Sequence, residues 1–323
     1  MKRYTLRSEP RAASDARFKI PYAEELNPQQ LEAVTTLDGP VLVVAGAGSG
    51  KTRTLVYRVA RLVESGVTPG QILLLTFTRK AAEEMLRRAG GLVGGSCAQV
   101  SGGTFHSFAH QCLRRFAGDI GLTPGFTILD RGDSEDVIGL VRGELQLDKK
   151  ERRFPRKQTL GEIFSMAVNK GTTVVELVET AYPHLVEEME DLLRVYARYT
   201  EFKEGKGLLD YDDLLVKLRN ALATHAAFAA HLGRQYRYLM VDEYQDTNAL
   251  QAEIVRLLAQ SHDNVMVVGD DAQSIYRFRG ADFRNILDFP NLFPGTRVIT
   301  LDQNYRSTPP ILDLANEIIN SAP

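Results

Sequence analysis

The sequence predicts an α/β fold, in which a parallel sheet flanked by helices is interrupted by an inserted, mostly helical subdomain. Three observations predict it. Apolar runs typical of buried strands, such as residues 41–44 and 238–241, recur along the chain and are followed by helical patterns. A Gly-rich turn joins the first run to its helix. Between about residues 126 and 207 the strand pattern gives way to helical spacing, and it resumes afterwards.

The composition limits the class of protein. With 323 residues, of which 44% are hydrophobic, the chain is long enough for two domains or for one domain with a large insertion. No apolar run reaches the roughly 18 residues of a membrane-spanning helix. Residues 1–20 are polar and Arg-rich, unlike a secretory signal, and we expect a flexible tail. Cys97 and Cys112 follow neither a metal-site nor a disulfide pattern, which favours a cytoplasmic location.

A short helix is predicted just ahead of the Gly-rich turn. Asn27 is a suitable N-cap, and Pro28 stands where the first helical residue belongs. The amide of Gln30 carries a donor and an acceptor, which suits the edge of an adenine base. A solvent-facing helix Gln is the alternative, but the place of Gln30 just ahead of the turn favours the nucleotide contact.

The Gly-rich turn has the pattern of a phosphate-binding loop between a strand and a helix. Small residues allow backbone N–H groups to converge on phosphate oxygens, and the helix N-terminus adds partial positive charge. Lys51 is expected to reach the outer phosphates, and the Thr52 hydroxyl suits Mg²⁺. An ordinary Gly-rich turn is the alternative interpretation. The predicted nucleotide-binding residues of this segment are Ala45, Gly46, Ala47, Gly48, Ser49, Gly50, Lys51, Thr52 and Arg53.

Two further strands, predicted over residues 72–78 and 98–104, end in a similar way. Phe77 and Thr78 close the first, and Thr104 and His106 lie at the end of the second. Ligands of an open parallel sheet bind outside the carboxyl ends of its strands. Aromatic rings there can stack on nucleic-acid bases. A Phe that merely fills the core is the alternative, and the sequence leaves both open.

The predicted insertion is built from four helices, over residues 134–145, 159–168, 174–181 and 185–202. It also contains a basic run, residues 149–157, with six basic residues and one acid. Such a run is either a solvated surface or a contact to nucleic-acid phosphates. Because the net charge of the chain is −2, a nucleic acid would have to be held by a local groove.

The α/β pattern resumes with strands that end in catalytic residue types. Asp242 and Glu243 follow residues 238–241; Asp242 is expected to hold Mg²⁺ through water, and Glu243 to accept a proton from the attacking water. A simple helix cap is the alternative for this acidic pair. Gln273, after the strand 264–268, is a candidate sensor of the γ-phosphate. After the strand 297–301, Arg306 is a candidate arginine finger, and Tyr305 can stack on the base.

These segments must meet in space for the chemistry to work. We expect the strands that precede Lys51 and Asp242 to be neighbours in the sheet, with the helical insertion projecting above the strand ends. Lys51, Asp242, Glu243 and Gln273 would then surround one magnesium–triphosphate. Residues 276–280, which interleave aromatics with arginines, would add a surface for unpaired bases.

Taken together, these motifs resemble those of the UvrD/Rep/PcrA family of superfamily 1 DNA helicases, in the family's order. The matching segments are residues 26–30, 45–52, 76–82, 103–107, 210–215, 241–247, 269–281 and 303–308. The resemblance implies a RecA-like P-loop NTPase lobe that uses ATP and Mg²⁺. It would occupy residues 21–125 and 208–308, with the insertion at 126–207 and the start of a second lobe at 309–323.

The resemblance also implies roles for individual residues. Gln30 and Tyr305 would contact adenine, Thr52 and Asp242 would hold magnesium, and Gln273 and Arg306 would sense the γ-phosphate. The single-stranded DNA path would be lined by Phe77, Thr78, Thr104, His106, Tyr276 and Phe278. Phe278 stands where family members often carry Trp, so stacking there is expected to be weaker.

The implied activity is ATP-dependent translocation from 3′ to 5′ and duplex unwinding, with single-stranded and junction DNA as partners. The family also needs a second RecA-like lobe, and this chain ends at Pro323. We therefore expect the N-terminal half of a longer helicase, which binds nucleotide, hydrolyses it slowly and does not unwind DNA. The alternatives are another P-loop phosphotransferase and a DNA- or protein-binding module regulated by ATP.

Overall fold

The computed structural model describes residues 18–94, 97, 99–147, 154–276 and 280–321. Within these residues a six-stranded sheet, in which every pair is parallel, forms the centre of the fold. A separate pair of short strands also pairs in parallel. In chain order the strands are β1 (Val41–Ala45), β2 (Ile72–Thr76), β3 (Ser101–Thr104), β4 (Thr127–Ile128), β5 (Leu208–Leu209), β6 (Tyr238–Val241), β7 (Val265–Gly269) and β8 (Arg297–Leu301). The predicted α/β class is confirmed.

Helices follow most strands, and many begin at a residue whose side chain caps the first turn. Asn27, Thr104, Asp210 and Asn248 each accept a hydrogen bond from a backbone N–H three residues later. The helices are α1 (Tyr22–Glu25), α2 (Pro28–Thr35), α3 (Lys51–Glu64), α4 (Arg79–Leu92), α5 (Phe105–Phe116), α6 (Arg131–Glu144), α7 (Lys157–Lys170), α8 (Val174–Ala181), α9 (Met189–Gly205), α10 (Tyr211–Thr224), α11 (Ala226–Gln235), α12 (Ala249–Ala259), α13 (Arg284–Leu292) and α14 (Pro309–Ser321).

Both faces of the central sheet are covered, which explains why its inner strands are apolar throughout. In β2, Leu73 and Leu75 point into a core shared with α5, α10 and α12, whereas Ile72 and Leu74 point into a core shared with α3 and α4. Alternate side chains of one strand therefore enter different cores. Parallel sheets buried in this way are typical of α/β proteins.

The strand order corrects one expectation. The order is β3-β2-β6-β7-β1-β8, so β7 lies between the strands that precede Lys51 and Asp242, which we expected to be neighbours. Pairing of Val43 with Val268 and of Val241 with Val267 keeps the three strands in register. Their carboxyl ends therefore still meet at one edge. Sequence spacing could not reveal this order, because crossover helices allow a strand to enter the sheet between two earlier ones.

The helical insertion has a core of its own, formed by side chains between Ile138 and Phe202. At its base β4 pairs with β5, so the chain leaves and re-enters the α/β lobe at one place. The boundaries at residues 126 and 207 stay a prediction. The single helix expected over 185–202 is wrong in its first turn: Pro183–Glu188 is a 3₁₀-helix, and α9 begins at Met189. Apolar side chains recur at i+3 in both helix types, so the pattern does not separate them.

The N-terminal boundary also differs from the expectation of a tail over residues 1–20. Residues 1–17 lie outside the described residues. Ile20 is buried, and the guanidinium of Arg61 lies 3.4 Å from the centroid of the Phe18 ring. Residues 18–20 therefore belong to the fold rather than to the tail. Among the described helices, none is both long and apolar enough to cross a bilayer.

A buried arginine joins the first helices of the fold. Arg58 on α3 is 2% exposed, and its guanidinium donates to the carbonyl oxygens of Ala33 (2.7 Å), Thr36 and Leu37 (3.1 Å). Burial lowers the pKa of Arg58 to about 10, so the group remains charged at neutral pH. It thereby satisfies carbonyl groups at the end of α2, which no further helical turn can reach.

We expect Arg58→Lys to lower the free energy of unfolding by about 1–2 kcal/mol. The reason is that a lysine ammonium cannot donate to all three carbonyl oxygens in the geometry of the planar guanidinium. The measurement is urea denaturation of both proteins. Arg87→Lys is the matched control, since the Arg87 side chain is 72% exposed and its ion pair with Glu84 contributes little. Equal losses in the two variants would contradict the assigned role of Arg58.

A half-buried histidine makes the fold sensitive to acid. The ring of His262 donates from Nε2 to the Tyr236 carbonyl (2.9 Å) and accepts at Nδ1 from the Asn264 N–H (3.0 Å), which requires a neutral imidazole. Burial lowers the pKa of His262 below its ordinary value of 6.5. On acidification the imidazole is therefore protonated in the unfolded chain at a higher pH than in the folded protein. The free energy of unfolding falls as the pH drops below 6.5.

The expected result is a smaller loss of stability in His262→Gln than in the unchanged chain when the pH is lowered from 7.5 to 5.5. Urea midpoints at the two pH values measure it. His184→Gln serves as control, because His184 is exposed. If both variants lose as much stability as the unchanged chain, His262 is not the group that titrates.

Candidate functional site

The phosphate loop lies between β1 and the N-terminus of α3, which begins at Lys51. Gly48 and Gly50 have left-handed backbone conformations, with φ of 82° and 91°. A Cβ at Gly48 would lie 2.6 Å from the Cβ of Arg306, and one at Gly50 would lie 2.5 Å from Nε2 of Gln30. Glycine is therefore required at both positions for conformation and for close approach.

Three of the predicted catalytic side chains meet at the carboxyl edge of the sheet. Nζ of Lys51 lies 2.8 Å from Oε2 of Glu243 and 3.4 Å from Oε1 of Gln273. The Lys51 side chain is 10% exposed and the Glu243 side chain 34% exposed, so water reaches the pair from the carboxylate side only. Segments that are remote in sequence thus converge where the phosphates of a nucleotide would lie.

Asp242 is buried beside this pair, and its Oδ1 has no hydrogen-bond partner among the described residues. Burial and the negative charge of Glu243 raise the pKa of Asp242 to about 7, although the positive charge of Lys51 acts in the opposite direction. A buried carboxylate without a partner is costly unless a cation neutralises it. Thr52, in the first turn of α3, offers a hydroxyl. This donor set fits Mg²⁺, which prefers oxygen ligands.

Glu243 is held in an uncommon conformation. Its φ of 51° is left-handed, which costs a residue other than glycine about 1–3 kcal/mol. The Gln245 side chain donates to Oε2 of Glu243 (2.8 Å) and accepts from the Asp270 N–H (3.1 Å). Gln245 therefore connects the loop after β6 to the loop after β7. No role was predicted for Gln245 from the sequence, although its place in the segment 241–247 was an available signal.

The segment after β8 covers the phosphate loop. Nδ2 of Asn304 donates to the Ala47 carbonyl (2.6 Å), and the Tyr305 N–H donates to the Gly48 carbonyl (2.9 Å). These bonds fix the backbone that carries Tyr305 and Arg306, whose side chains are both exposed. No role was predicted for Asn304 either, because its role depends on a contact between the ends of β8 and β1, which are adjacent in the sheet but remote in sequence.

The residues expected to contact adenine are hydrogen-bonded to the phosphate loop and to the cap of α2. Gln30 is buried, donates from Nε2 to the Ser49 carbonyl (3.1 Å) and accepts at Oε1 from the Asn27 N–H (3.3 Å). Both halves of its amide are thus engaged within the protein. Nδ2 of Asn27 also donates to the Tyr305 hydroxyl (2.9 Å). Arg53 forms an ion pair with Glu25 (2.6 Å). The adenine contacts stay predictions.

A cleft of about 1040 Å³ opens between the helical insertion and the strand ends of the α/β lobe. Two of the predicted DNA-contacting rings line it and touch each other: the centroids of Phe77 and Tyr276 lie 4.7 Å apart. Asp242 and Glu243 line the same cleft. The aromatic surface and the nucleotide site are therefore contiguous.

The remaining predicted DNA contacts have mixed surroundings. The hydroxyls of Thr78 and Thr104 cap α4 and α5. His106 lines the cleft, where burial lowers its pKa, and the ring of Tyr211 lies edge-on to it at 6.1 Å between centroids. Tyr211 is 53% exposed and was missed, although it begins the segment after the Asp210 cap. Phe278 and residues 149–153 of the basic run lie outside the described residues.

Comparisons with known proteins agree with this geometry. The family described as UvrD/REP helicase N-terminal domain matches residues 26–294. The protein named ATP-dependent DNA helicase PcrA is 43% identical over 297 residues in Bacillus subtilis, 40% in Staphylococcus aureus and 41% in Staphylococcus epidermidis. These alignments cover 92% of this chain but only 39–40% of each relative. The chain therefore belongs to the UvrD/REP helicase family, of which it carries the N-terminal domain.

Proposed function

We propose that the chain is the ATP- and single-strand-binding part of a DNA helicase motor that hydrolyses ATP and moves from 3′ to 5′. The observation that carries the proposal is the position of Glu243, which contacts Lys51 of the phosphate loop and also lines the aromatic cleft. One residue thus joins the two sites. Because the chain spans about two fifths of the length of its relatives, unwinding by a complete motor is part of this proposal.

The ion pair between Lys51 and Glu243 indicates how nucleotide binding would prepare hydrolysis. Phosphate oxygens compete with the Glu243 carboxylate for the Lys51 ammonium. When Lys51 turns to the phosphates, Glu243 is released to orient a water and to accept its proton. Gln273 already lies beside Lys51, and Arg306 lies on the segment that covers the loop. Both are suited to contact the γ-phosphate.

Thr52 and Asp242 would hold Mg²⁺, and the unpartnered oxygen of Asp242 supports this assignment. When bound, the ion would neutralise part of the charge of the phosphates. The exposed Tyr305 ring would stack on adenine, and Gln30 and Arg53 are the further nucleotide contacts that we propose. Phosphoryl transfer to water requires these groups to be positioned before the reaction, and the rigid strand ends supply that positioning.

The cleft would hold single-stranded DNA by stacking. Phe77 and Tyr276 form one aromatic surface, and His106 and Tyr211 form another within the same cleft. Stacking on bases tolerates any sequence, as a translocating motor requires. A junction of single- and double-stranded DNA and a second RecA-like lobe are the further partners that we propose. The cytoplasmic location also belongs to the proposal.

The proposal is tested by measuring Mg²⁺-dependent ATP hydrolysis with and without an oligo-dT strand. We expect slow hydrolysis that the strand accelerates, and loss of nucleotide binding in Lys51→Ala. A blunt duplex of the same length is the control nucleic acid. Hydrolysis that ignores the strand would favour another P-loop phosphotransferase. Strand binding that responds to ATP without any hydrolysis would favour an ATP-regulated binding module.

A further inference from the structure

Asn169 connects the helical insertion to two helices of the α/β lobe. It lies near the end of α7, where its Nδ2 donates to Oδ1 of Asp212 (2.9 Å) and its Oδ1 accepts from Nδ2 of Asn248 (2.7 Å). Asp212 is in the first turn of α10, and Asn248 caps α12. One side chain of the insertion therefore contacts the N-terminal ends of both helices.

The same residue meets a third segment of the lobe. Gly280 has a φ of 85°, and a Cβ there would lie 2.9 Å from the Cβ of Asn169 and 3.1 Å from its carbonyl oxygen. The backbone after the loop of Gln273 and Tyr276 thus passes directly against α7. Only a glycine permits that approach.

Two of the three segments that meet Asn169, those of Asn248 and Gly280, lead back to the phosphate site. Asn248 follows Thr247, whose carbonyl accepts from the Asp282 N–H (3.1 Å) and from Nδ2 of Asn285 (2.8 Å). The segment that begins at Glu243 is thereby tied to the segment that follows Gly280. Gln245 connects the two segments again, at the Glu243 carboxylate and the Asp270 N–H.

Another contact between the insertion and the lobe is not connected to the segments around the phosphate site. Lys203, buried on α9, forms ion pairs with Asp210 and Asp213 (2.5 Å each) at the start of α10. Those bonds hold the base of the insertion in place but do not touch the segments after β6 and β7. Asn169 is therefore the better placed of the two to respond when Lys51 exchanges Glu243 for phosphate.

We propose that Asn169 is a positioning residue that couples nucleotide binding to the affinity of the cleft for single-stranded DNA. This inference rests on the proposed function. A shift of Glu243 moves the segment ending at Asn248, and Asn169 transmits that shift to the insertion, which forms one wall of the cleft. Coupling of this kind is reciprocal, so bound DNA must change nucleotide affinity by the same factor.

The test measures the affinity for fluorescent oligo-dT with and without Mg²⁺ and a non-hydrolysable ATP analogue. In the unchanged chain we expect the analogue to change this affinity by a factor on the order of five or more. In Asn169→Ala the factor should fall to unity. The affinity for nucleotide without DNA should remain unchanged, and the affinity for DNA without nucleotide should change little, because Asn169 lines the cleft but has no ring for stacking. The melting temperature should fall by only a few degrees, since two hydrogen bonds are lost.

A second variant removes the link from the other side. In Asn248→Ser the hydroxyl can still cap α12 by accepting from the Gln251 N–H, but it is too short to reach Asn169. The same loss of coupling is expected. Thr180→Ala is the control within the insertion, because its hydroxyl donates to carbonyl oxygens of α8 (Glu176 at 2.7 Å and Leu177 at 3.3 Å) and not to any residue near Asn169, so it should retain the full factor.

The outcomes separate the two proposals. If the unchanged chain binds no oligo-dT or no nucleotide, the proposed function is overturned and this inference falls with it. If it binds both without coupling, or if Asn169→Ala keeps the full factor, the inference alone is overturned. A general loss of both affinities in Asn169→Ala, with coupling retained in Asn248→Ser, would reduce Asn169 to a structural residue and also overturn it.

Discussion

Glu243→Gln is expected to slow ATP hydrolysis by a factor of about 10²–10⁴, the usual contribution of a general base. The amide keeps the shape of the side chain but cannot accept the proton of the attacking water. Nucleotide affinity should be unchanged or higher, because Lys51 loses its competing carboxylate, now 2.8 Å away. Single-turnover hydrolysis in the presence of oligo-dT and a separate binding titration measure the two effects.

Glu253→Gln is the control for this substitution. Glu253 lies on α12, where it pairs with Arg219 at 3.7 Å and does not line the cleft. It should leave hydrolysis and binding unchanged. Equal turnover in Glu243→Gln and in the unchanged chain would remove Glu243 from the mechanism. A fall in turnover that follows a fall in nucleotide affinity would assign it to binding instead.

Replacing Phe77 and Tyr276 together by Ala is expected to weaken oligo-dT binding by about 10²–10³-fold. Each base stacked on an aromatic ring contributes about 1–3 kcal/mol. The two rings touch, with centroids 4.7 Å apart, so the effects of their removal are not simply additive. Stacking on bases releases no counterions. The slope of the logarithm of the binding constant against the logarithm of the salt concentration should therefore be the same in the variant and in the unchanged chain. Fluorescence anisotropy at several salt concentrations measures both quantities.

Phe283→Ala is the matched control for the loss of an exposed ring. Phe283 is 41% exposed, close to the 38% of Phe77, but it does not line the cleft. It should leave oligo-dT binding unchanged, and ATP affinity should be the same in all variants. If the double variant binds oligo-dT as tightly as the control does, the DNA path does not pass over these rings.

The features that the sequence predicted well depend on neighbouring residues. The phosphate loop and α3 were readable because the apolar run, the glycines and Lys51 are consecutive. The cap at Asn27 was readable because a cap bonds a backbone N–H only three residues ahead. Family membership, which rests on several such motifs in order, is confirmed by the match over residues 26–294.

The errors arose where a prediction needed a contact between distant segments. The strands before Lys51 and Asp242 were expected to pair, but β7 lies between them. No role was predicted for Gln245 or Asn304, because each contacts a segment that is remote in sequence. Local patterns identify which groups can bond. They do not identify which partner packing will bring within reach.

By itself, then, the amino-acid sequence determined the class of fold, the family and the types of residue that can bind phosphate, metal and bases. Only the tertiary structure decided that Gln245 joins two loops, that Phe77 lies against Tyr276 and that Asn169 meets Asn248. The physical reason is the sequence separation of the residues that interact. A cap or a glycine turn is stabilised within a few residues, whereas these contacts form only after burial of the shared core brings remote segments together.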